Sequence, residues 1–170
     1  MRAQRCPRAL RSLIQMQRVV ILGRGGAGKS TLARHLGATT GLPVVELDKH
    51  FWQPGLVSLL PDEWVARQRE LADQQIWIMD GDLGPHDVLA TRLERADTVI
   101  VLDFPLARCV WRALRRSREG ADFWRWLWQY RRRSLPPVMH AIAIHAPNAD
   151  VHVLRSPNAV KQFLAAVDAA

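Results

Sequence analysis

Apolar residues along this chain fall in short continuous runs separated by stretches of helical spacing, and this alternation predicts its elements. Arg18-Val-Val-Ile-Leu22 is an unbroken β-branched run, the mark of a strand buried on both faces. A helix follows from about Lys29 through Leu36 and stops between Gly37 and Gly41. Leu42-Pro-Val-Val-Glu-Leu47 predicts a second strand ending at Asp48, and Pro61 is placed to open a helix through Glu63, Trp64, Arg67 and Leu71. Gln75-Ile-Trp-Ile-Met79 predicts a third strand ending at Asp80, and Asp97-Thr-Val-Ile-Val-Leu102 a fourth ending at Asp103. Pro105 opens an arginine-rich helix through Arg108, Arg112, Arg115, Arg116 and Arg118. Gly120 breaks it, and Phe123 to Arg133 resume helical spacing. Val151-His-Val-Leu154 is the last strand, with Ser156 and Pro157 as cap and first turn of the terminal helix. Strands alternating with helices predict an α/β domain, a parallel sheet covered on both faces. There is no internal repeat and no low-complexity stretch.

Between the first strand and the first helix the sequence reads Gly23-Arg-Gly-Gly-Ala-Gly-Lys-Ser30, a complete GxxxxGK[ST] pattern in the strand–turn–helix context it requires. The glycines at 23, 25, 26 and 28 permit backbone angles and a phosphate approach that a Cβ would forbid. The free N–H groups of the turn and the positive end of the helix then face the same anion. Lys29 is suited to reach the β- and γ-phosphates of a nucleoside triphosphate, and the Ser30 hydroxyl to ligate Mg²⁺. The nucleotide-binding set predicted here is Gly23, Arg24, Gly25, Gly26, Ala27, Gly28, Lys29, Ser30 and Thr31.

Three predicted strands finish in aspartate, and in open α/β sheets the carboxyl ends of the strands face the ligand. Asp80, after an apolar strand and before Gly81, matches the Walker B role of holding the water shell of Mg²⁺. Asp103, followed by Phe104 and Pro105, reads better as a cap of a helix or turn. Asp48 is a candidate for contact with a phosphoryl acceptor. A guanine signature of the Asn-Lys-x-Asp type is absent, which favours ATP over GTP.

Composition narrows the picture. The 170 residues fit one domain, and 48% hydrophobic content with seven tryptophans argues against disorder. No apolar run approaches the roughly 18 residues of a membrane helix. Cys6 and Cys109 have no CxxC or histidine spacing, so neither a zinc site nor a disulfide framework is indicated, and a reducing cytoplasm fits the pattern. The net charge of +8 raises nucleic acid as a partner. Part of that charge, however, sits at Arg2, Arg5, Arg8 and Arg11 in a segment without acids. Residues 1–17 are accordingly expected to be a disordered basic extension or a start placed upstream of Met16, and residues 18–170 the folded domain. Phe123-Trp-Arg-Trp-Leu-Trp-Gln-Tyr130, followed by Arg131 to Arg133, looks like a base-stacking track. Helical spacing puts Phe123, Leu127 and Tyr130 on one face with Trp124 and Trp128 beside it, so core packing is the expected use. The six histidines show no metal-ligand spacing, and only His50 lies near the expected pocket.

On the segments around the loop, Leu47-Asp-Lys-His-Phe-Trp52 with Pro54 and Gly55, Trp77-Ile-Met-Asp-Gly81, the stretch from Arg92 to Pro105, and Trp124 to Arg133, the chain resembles the adenylate-kinase-like P-loop kinases. It is most similar to the group called DNA topology modulation protein (FlaR-like). The resemblance implies a five-stranded parallel sheet of order 2-3-1-4-5, ATP binding with Mg²⁺, and phosphotransfer to an acceptor that the residues do not name. It also implies a lid after the fourth strand whose arginines, here Arg112, Arg115, Arg116 and Arg118, meet the transferring phosphoryl group, with Arg115 and Arg116 as catalytic candidates beside Lys29, Asp48 and Asp80. Two departures stand out. Asp82-Leu83 replaces the usual Asn-Tyr and makes the acceptor pocket more acidic, and the short Arg118-Glu-Gly-Ala-Asp122 leaves less lid for closure.

The expected activity is transfer of the γ-phosphoryl group of ATP to a small acceptor, with a nucleoside or nucleotide as candidates. Acidic Asp48, Asp82 and Glu46, tempered by Lys49, His50 and Arg67, favour a hydroxyl over a phosphate as the accepting group. The alternative is a nucleic-acid-associated ATPase or regulator of DNA topology, supported by the charge and the Trp-Arg segment. The direction in which the arginines point separates the two readings.

Overall fold

The computed structural model describes residues 16–53, 57–83, 87–116 and 120–169. Strands β1 (Arg18–Gly23), β2 (Val44–Glu46), β5 (Trp77–Asp80), β6 (Thr98–Leu102) and β7 (Asp150–Leu154) form one all-parallel sheet in the order β2-β5-β1-β6-β7. Counting only these five strands along the chain, the order is 2-3-1-4-5. Two short strands, β3 (Trp52–Gln53) and β4 (Val57–Ser58), pair antiparallel outside it. The helices are α1 (Lys29–Thr40), α2 (Leu47–Phe51), α3 (Pro61–Ala72), α4 (Leu89–Leu93), α5 (Leu106–Arg116), α6 (Ala121–Arg133), α7 (Leu135–His145) and α8 (Pro157–Asp168).

Why the strands read as continuous apolar runs is clear from the two cores. Successive side chains point to opposite faces, so Val19, Ile21, Ile78 and Ile100 pack under α1 and α8 with Leu32, Leu36, Phe163 and Val167. Val20, Leu22, Met79, Val99 and Val101 pack on the other side with Trp64, Leu71, Leu93 and Ile142. A sheet buried on both faces admits no polar alternation.

Several boundaries differ from the expected ones. Pairing of β2 with β5 stops where Glu46 meets Asp80, and Leu47 turns into the core as the first residue of α2. Asp48 therefore lies in the first turn of a short helix rather than at the end of a strand. The third sheet strand starts at Trp77, since Gln75 and Ile76 are exposed. Met16 is buried in the core, and the Gln17 backbone both donates to Asp97 and accepts from Trp77, so the packed unit includes residues ahead of Arg18. Helix α7 was not anticipated. Pro136 and Pro137 resemble a break, yet both fall in its first turn, where the N–H they lack has no helical partner anyway. The segment 1–15, with Cys6, and Pro54, Gly55, His86, Arg118 and Glu119 lie outside the described residues, as does the Arg116 side chain.

Candidate active site

The β1 strand delivers the chain to the glycine loop, and α1 begins at Lys29 with Gly28 as its cap in a left-handed conformation (φ 99°). Gly26 is also left-handed (φ 73°), and a Cβ there would run into the carbonyl oxygen of Cys109 on α5. A Cβ at Gly25 would meet the Phe123 ring at 2.7 Å and Trp126 at 3.0 Å. The loop is thus clasped by α5 and α6, so two of its glycines are required by packing as well as by ligand approach. Lys29 folds back and donates from Nζ to the carbonyl of Gly23 at 2.8 Å. The Arg112 guanidinium lies over Gly28, 2.9 Å from the position a Cβ would take.

Beside the loop opens a cleft of about 1020 Å³. That size suits a nucleotide together with a small second ligand. Lys29, Ser30, Thr31, Gly25, Gly26 and Gly28 line it, as do Asp48, Asp80, Arg112 and Arg115. The sequence-predicted residues therefore converge, with exceptions. Gly23, Arg24 and Ala27 are not among its walls, and the Arg24 and Ala27 side chains are buried, leaving only backbone to offer a ligand from those positions. His50 does not reach the cleft either. Burial, then the neighbouring Arg67 charge, holds its pKa below the ordinary histidine value.

Asp80 is suited to support a metal. It is only 4% exposed, lines the cleft, and its Oδ1 has no hydrogen-bond partner among the described residues. An orphaned buried carboxylate oxygen costs free energy unless something fills its place. No group of three or more His, Cys, Asp or Glu side chains fit to cage a metal occurs among the described residues. Mg²⁺ needs no such cage, because it keeps several waters and takes one or two protein ligands plus phosphate oxygens. Ser30 and Asp80 fit that pattern.

The site also holds residues that sequence reasoning missed. Tyr130 donates from Oη to Asp82 at 3.2 Å, while the buried Arg24 guanidinium lies 5.7 Å from its ring centre. Burial foremost, then the Asp82 charge, pushes the Tyr130 hydroxyl far above the ordinary phenol range. Fully buried Arg92 donates from Nη2 to the Gly81 carbonyl at 3.0 Å and to Asp87 at 2.7 Å, which fixes the loop after β5 that carries Asp80 and Asp82. The aromatic helix divides its rings: Leu127 and Tyr130 are buried, Phe123 and Trp126 line the cleft, and Trp128 is 72% exposed. Expected core packing thus holds for part of the helix, whereas its cleft-facing aromatics had no local signal. Asp103 is no simple cap. Its buried carboxylate meets Arg131 at 3.2 Å and Arg155 at 3.5 Å.

Two arginines of α5 face the cleft. Arg112 and Arg115 line the cleft, and Arg115 stacks on Trp111 at 4.0 Å. Buried Cys109 senses this concentration of cations. Burial raises its thiol pKa, while Arg24, Lys29 and Arg112 pull it back down.

No family model matches the chain, and no curated protein matches it. Solved structures do. The chain is similar to a sugar kinase from Janibacter sp. HTCC2649 in its unliganded form, at 21% identity over 91% of this chain and 96% of that one, with a TM-score of 0.56. It is also similar to shikimate kinase from Acinetobacter baumannii in complex with shikimate, at 15% identity, 92% and 93% coverage and a TM-score of 0.60. Shikimate kinase from Bacteroides thetaiotaomicron matches at 14% identity, 88% and 95% coverage and a TM-score of 0.52. At these identities the likeness is one of fold: an α/β P-loop kinase-like architecture with the expected strand order.

Proposed function

We propose that this chain is an ATP-dependent phosphotransferase that moves the γ-phosphoryl group to a hydroxyl of a small acceptor. The observation that carries this reading is the meeting of Lys29, Ser30, the orphaned Asp80 carboxylate, Arg112 and Arg115 in one cleft that also holds Asp48. The loop N–H groups and Lys29 hold the β- and γ-phosphates, and Arg112 and Arg115 spread developing charge over the equatorial oxygens. Ser30 and Asp80 would hold Mg²⁺, which would supply neutralisation of phosphate charge. Asp48 orients the acceptor hydroxyl and takes its proton as the oxygen bonds to the γ-phosphorus. The bond to the bridging oxygen breaks, and its electron pair leaves on ADP.

The finer placement is within the adenylate-kinase-like kinases, in the DNA topology modulation (FlaR-like) group, on the segments described above. A nucleoside or nucleotide remains a candidate acceptor, and the sugar and shikimate named for the structural neighbours join it. A cytoplasmic setting suits an ATP consumer with a buried free thiol. No helix of the described residues is long and apolar enough to cross a membrane. The nucleic-acid reading is less favoured, because Arg112 and Arg115 turn into the cleft and Arg131 is engaged with Asp103. An acceptor screen with Mg-ATP, reading ADP formation above the no-acceptor background, tests the proposal. A hydrolysis rate that no acceptor raises would overturn it.

A further inference from the structure

Two arginines are buried among the described residues, and the fold treats them in opposite ways. Arg92 faces an anion: its Nη2 meets the Asp87 carboxylate at 2.7 Å and the Gly81 carbonyl at 3.0 Å. Arg24, 3% exposed, forms no ion pair and no side-chain hydrogen bond with the described residues, and its Nη1 is enclosed without a partner. What it meets is the face of the Tyr130 ring, 5.7 Å from the centroid. A ring face attracts a cation yet carries no net charge, so it offsets part of the desolvation and neutralises nothing. Carboxylates that act on Tyr130 are engaged already, Asp103 with Arg131 and Arg155, and Asp82 with the Tyr130 hydroxyl.

The glycine loop fixes where this charge sits. Arg24 accepts from the Ala27 N–H through its carbonyl at 3.2 Å, and the next residue, Gly25, lines the cleft while the Arg24 side chain is buried behind that wall. Phe123 and Trp126 cover Gly25, and Trp126 packs edge-on against Tyr130 with centroids 5.3 Å apart. Helix α6 therefore closes over the guanidinium. On the side of α5, the buried Cys109 thiol is under the influence of Arg24 together with Lys29 and Arg112. One buried point thus feels Arg24 and two cations that line the cleft. Arg24 adds to the positive charge of the loop from behind, and in a low-dielectric surround a charge acts without contact.

We propose that the counter-ion of Arg24 is the polyphosphate bound at the loop, which the buried guanidinium attracts through the loop backbone without touching it. This rests on the nucleotide binding assumed in the phosphotransferase reading above. The free protein is destabilised by an unneutralised buried cation, and the bound phosphates remove that strain. Arg24 therefore opposes folding of the empty chain and favours the complex, whereas Arg92, paired within the protein, favours both. An apolar side chain of similar length in place of Arg24 separates the two effects: the empty fold gains or is unchanged, and nucleotide affinity falls. A residue needed only for packing behaves the other way.

The test uses the full chain and two readouts, the Kd for Mg-ATP by equilibrium dialysis and the thermal midpoint without nucleotide. Arg24→Met should raise the Kd by about tenfold or more while its nucleotide-free midpoint equals or exceeds that of the wild type. Arg24→Lys, which keeps a cation, should recover most of the affinity. Because a buried charge is screened little, the penalty of the methionine variant should persist from low salt to about 0.3 M. Unchanged affinity in Arg24→Met overturns the proposal, and so does a fall of its nucleotide-free midpoint, since Arg24 is then structural. Equal loss in the lysine variant, or a penalty that salt abolishes, overturns it as well. These outcomes leave the kinase reading standing, whereas a wild-type chain that binds no ATP removes that reading and this inference together.

Discussion

The Arg92 guanidinium reaches back eleven positions to the Gly81 carbonyl at 3.0 Å, so a fully buried charge on α4 holds the residue that follows Asp80. The same nitrogen pairs with Asp87, whose carboxyl is pushed above its ordinary pKa by burial, with the Arg92 charge opposing the rise and Asp82 adding to it. Breaking a buried pair leaves one charge uncompensated, at a cost of about 3–5 kcal/mol. Arg92→Met should therefore lower the denaturation midpoint sharply. Arg92→Lys, which keeps a charge but loses the fork, should restore part of the stability while leaving turnover low, because the loop bearing Asp80 and Asp82 is no longer fixed. Chemical denaturation and steady-state kinetics on the two variants check this.

Asp48 lies in the first turn of α2 and lines the cleft. If it takes the hydroxyl proton, Asp48→Asn should lower kcat by about two orders of magnitude, the scale of general-base catalysis, with ATP affinity nearly unchanged. Wild-type turnover in that variant would make the residue structural.

The boundary near the N-terminus also makes a prediction. Met16 is packed in the core and the Gln17 backbone joins Asp97 and Trp77. A variant beginning at Met16 should keep its melting temperature and ATP affinity. One beginning at Arg18 should lose about 2 kcal/mol, the value of burying a methionine side chain. Thermal melts of both separate the effect of the basic extension from that of the core.

His152 sits against Phe163 with its Nε2 buried and without a hydrogen-bond partner among the described residues, and burial lowers its pKa, with Asp150 opposing. Because the unfolded chain protonates near 6.5 and the folded one only below that, the unfolded state binds more protons within this window. Stability therefore rises with pH across the window and falls on acidification through it. His50, lowered by burial and Arg67, adds a slope of the same sign. Urea midpoints between about pH 5 and 7 should rise with pH, and His152→Phe should flatten the rise.

What the chain announced in advance was local. Gly23 to Ser30 carries its own turn geometry, and β1, β5 and β6 are apolar because both faces of each are covered. What stayed hidden depends on partners distant in sequence. Phe123 and Trp126 meet Gly25 across about a hundred residues, and nothing near either end marks the meeting. Arg92 looks ordinary until the loop after β5 folds over it. The two-residue strands β3 and β4 are too short to carry a period, and the prolines of α7 are tolerated only because they fall at its start.

The central claim is phosphoryl transfer at the loop of Lys29. Lys29 lines the cleft and donates to the Gly23 carbonyl, so Lys29→Ala removes a cleft-lining ammonium and little packing. With ATP labelled at the γ-phosphorus, the wild-type protein should move label onto an acceptor hydroxyl, and folded Lys29→Ala should do so at least about a hundredfold more slowly. Near-wild-type transfer by the folded variant, or release of all label as inorganic phosphate whatever acceptor is supplied, would contradict the account.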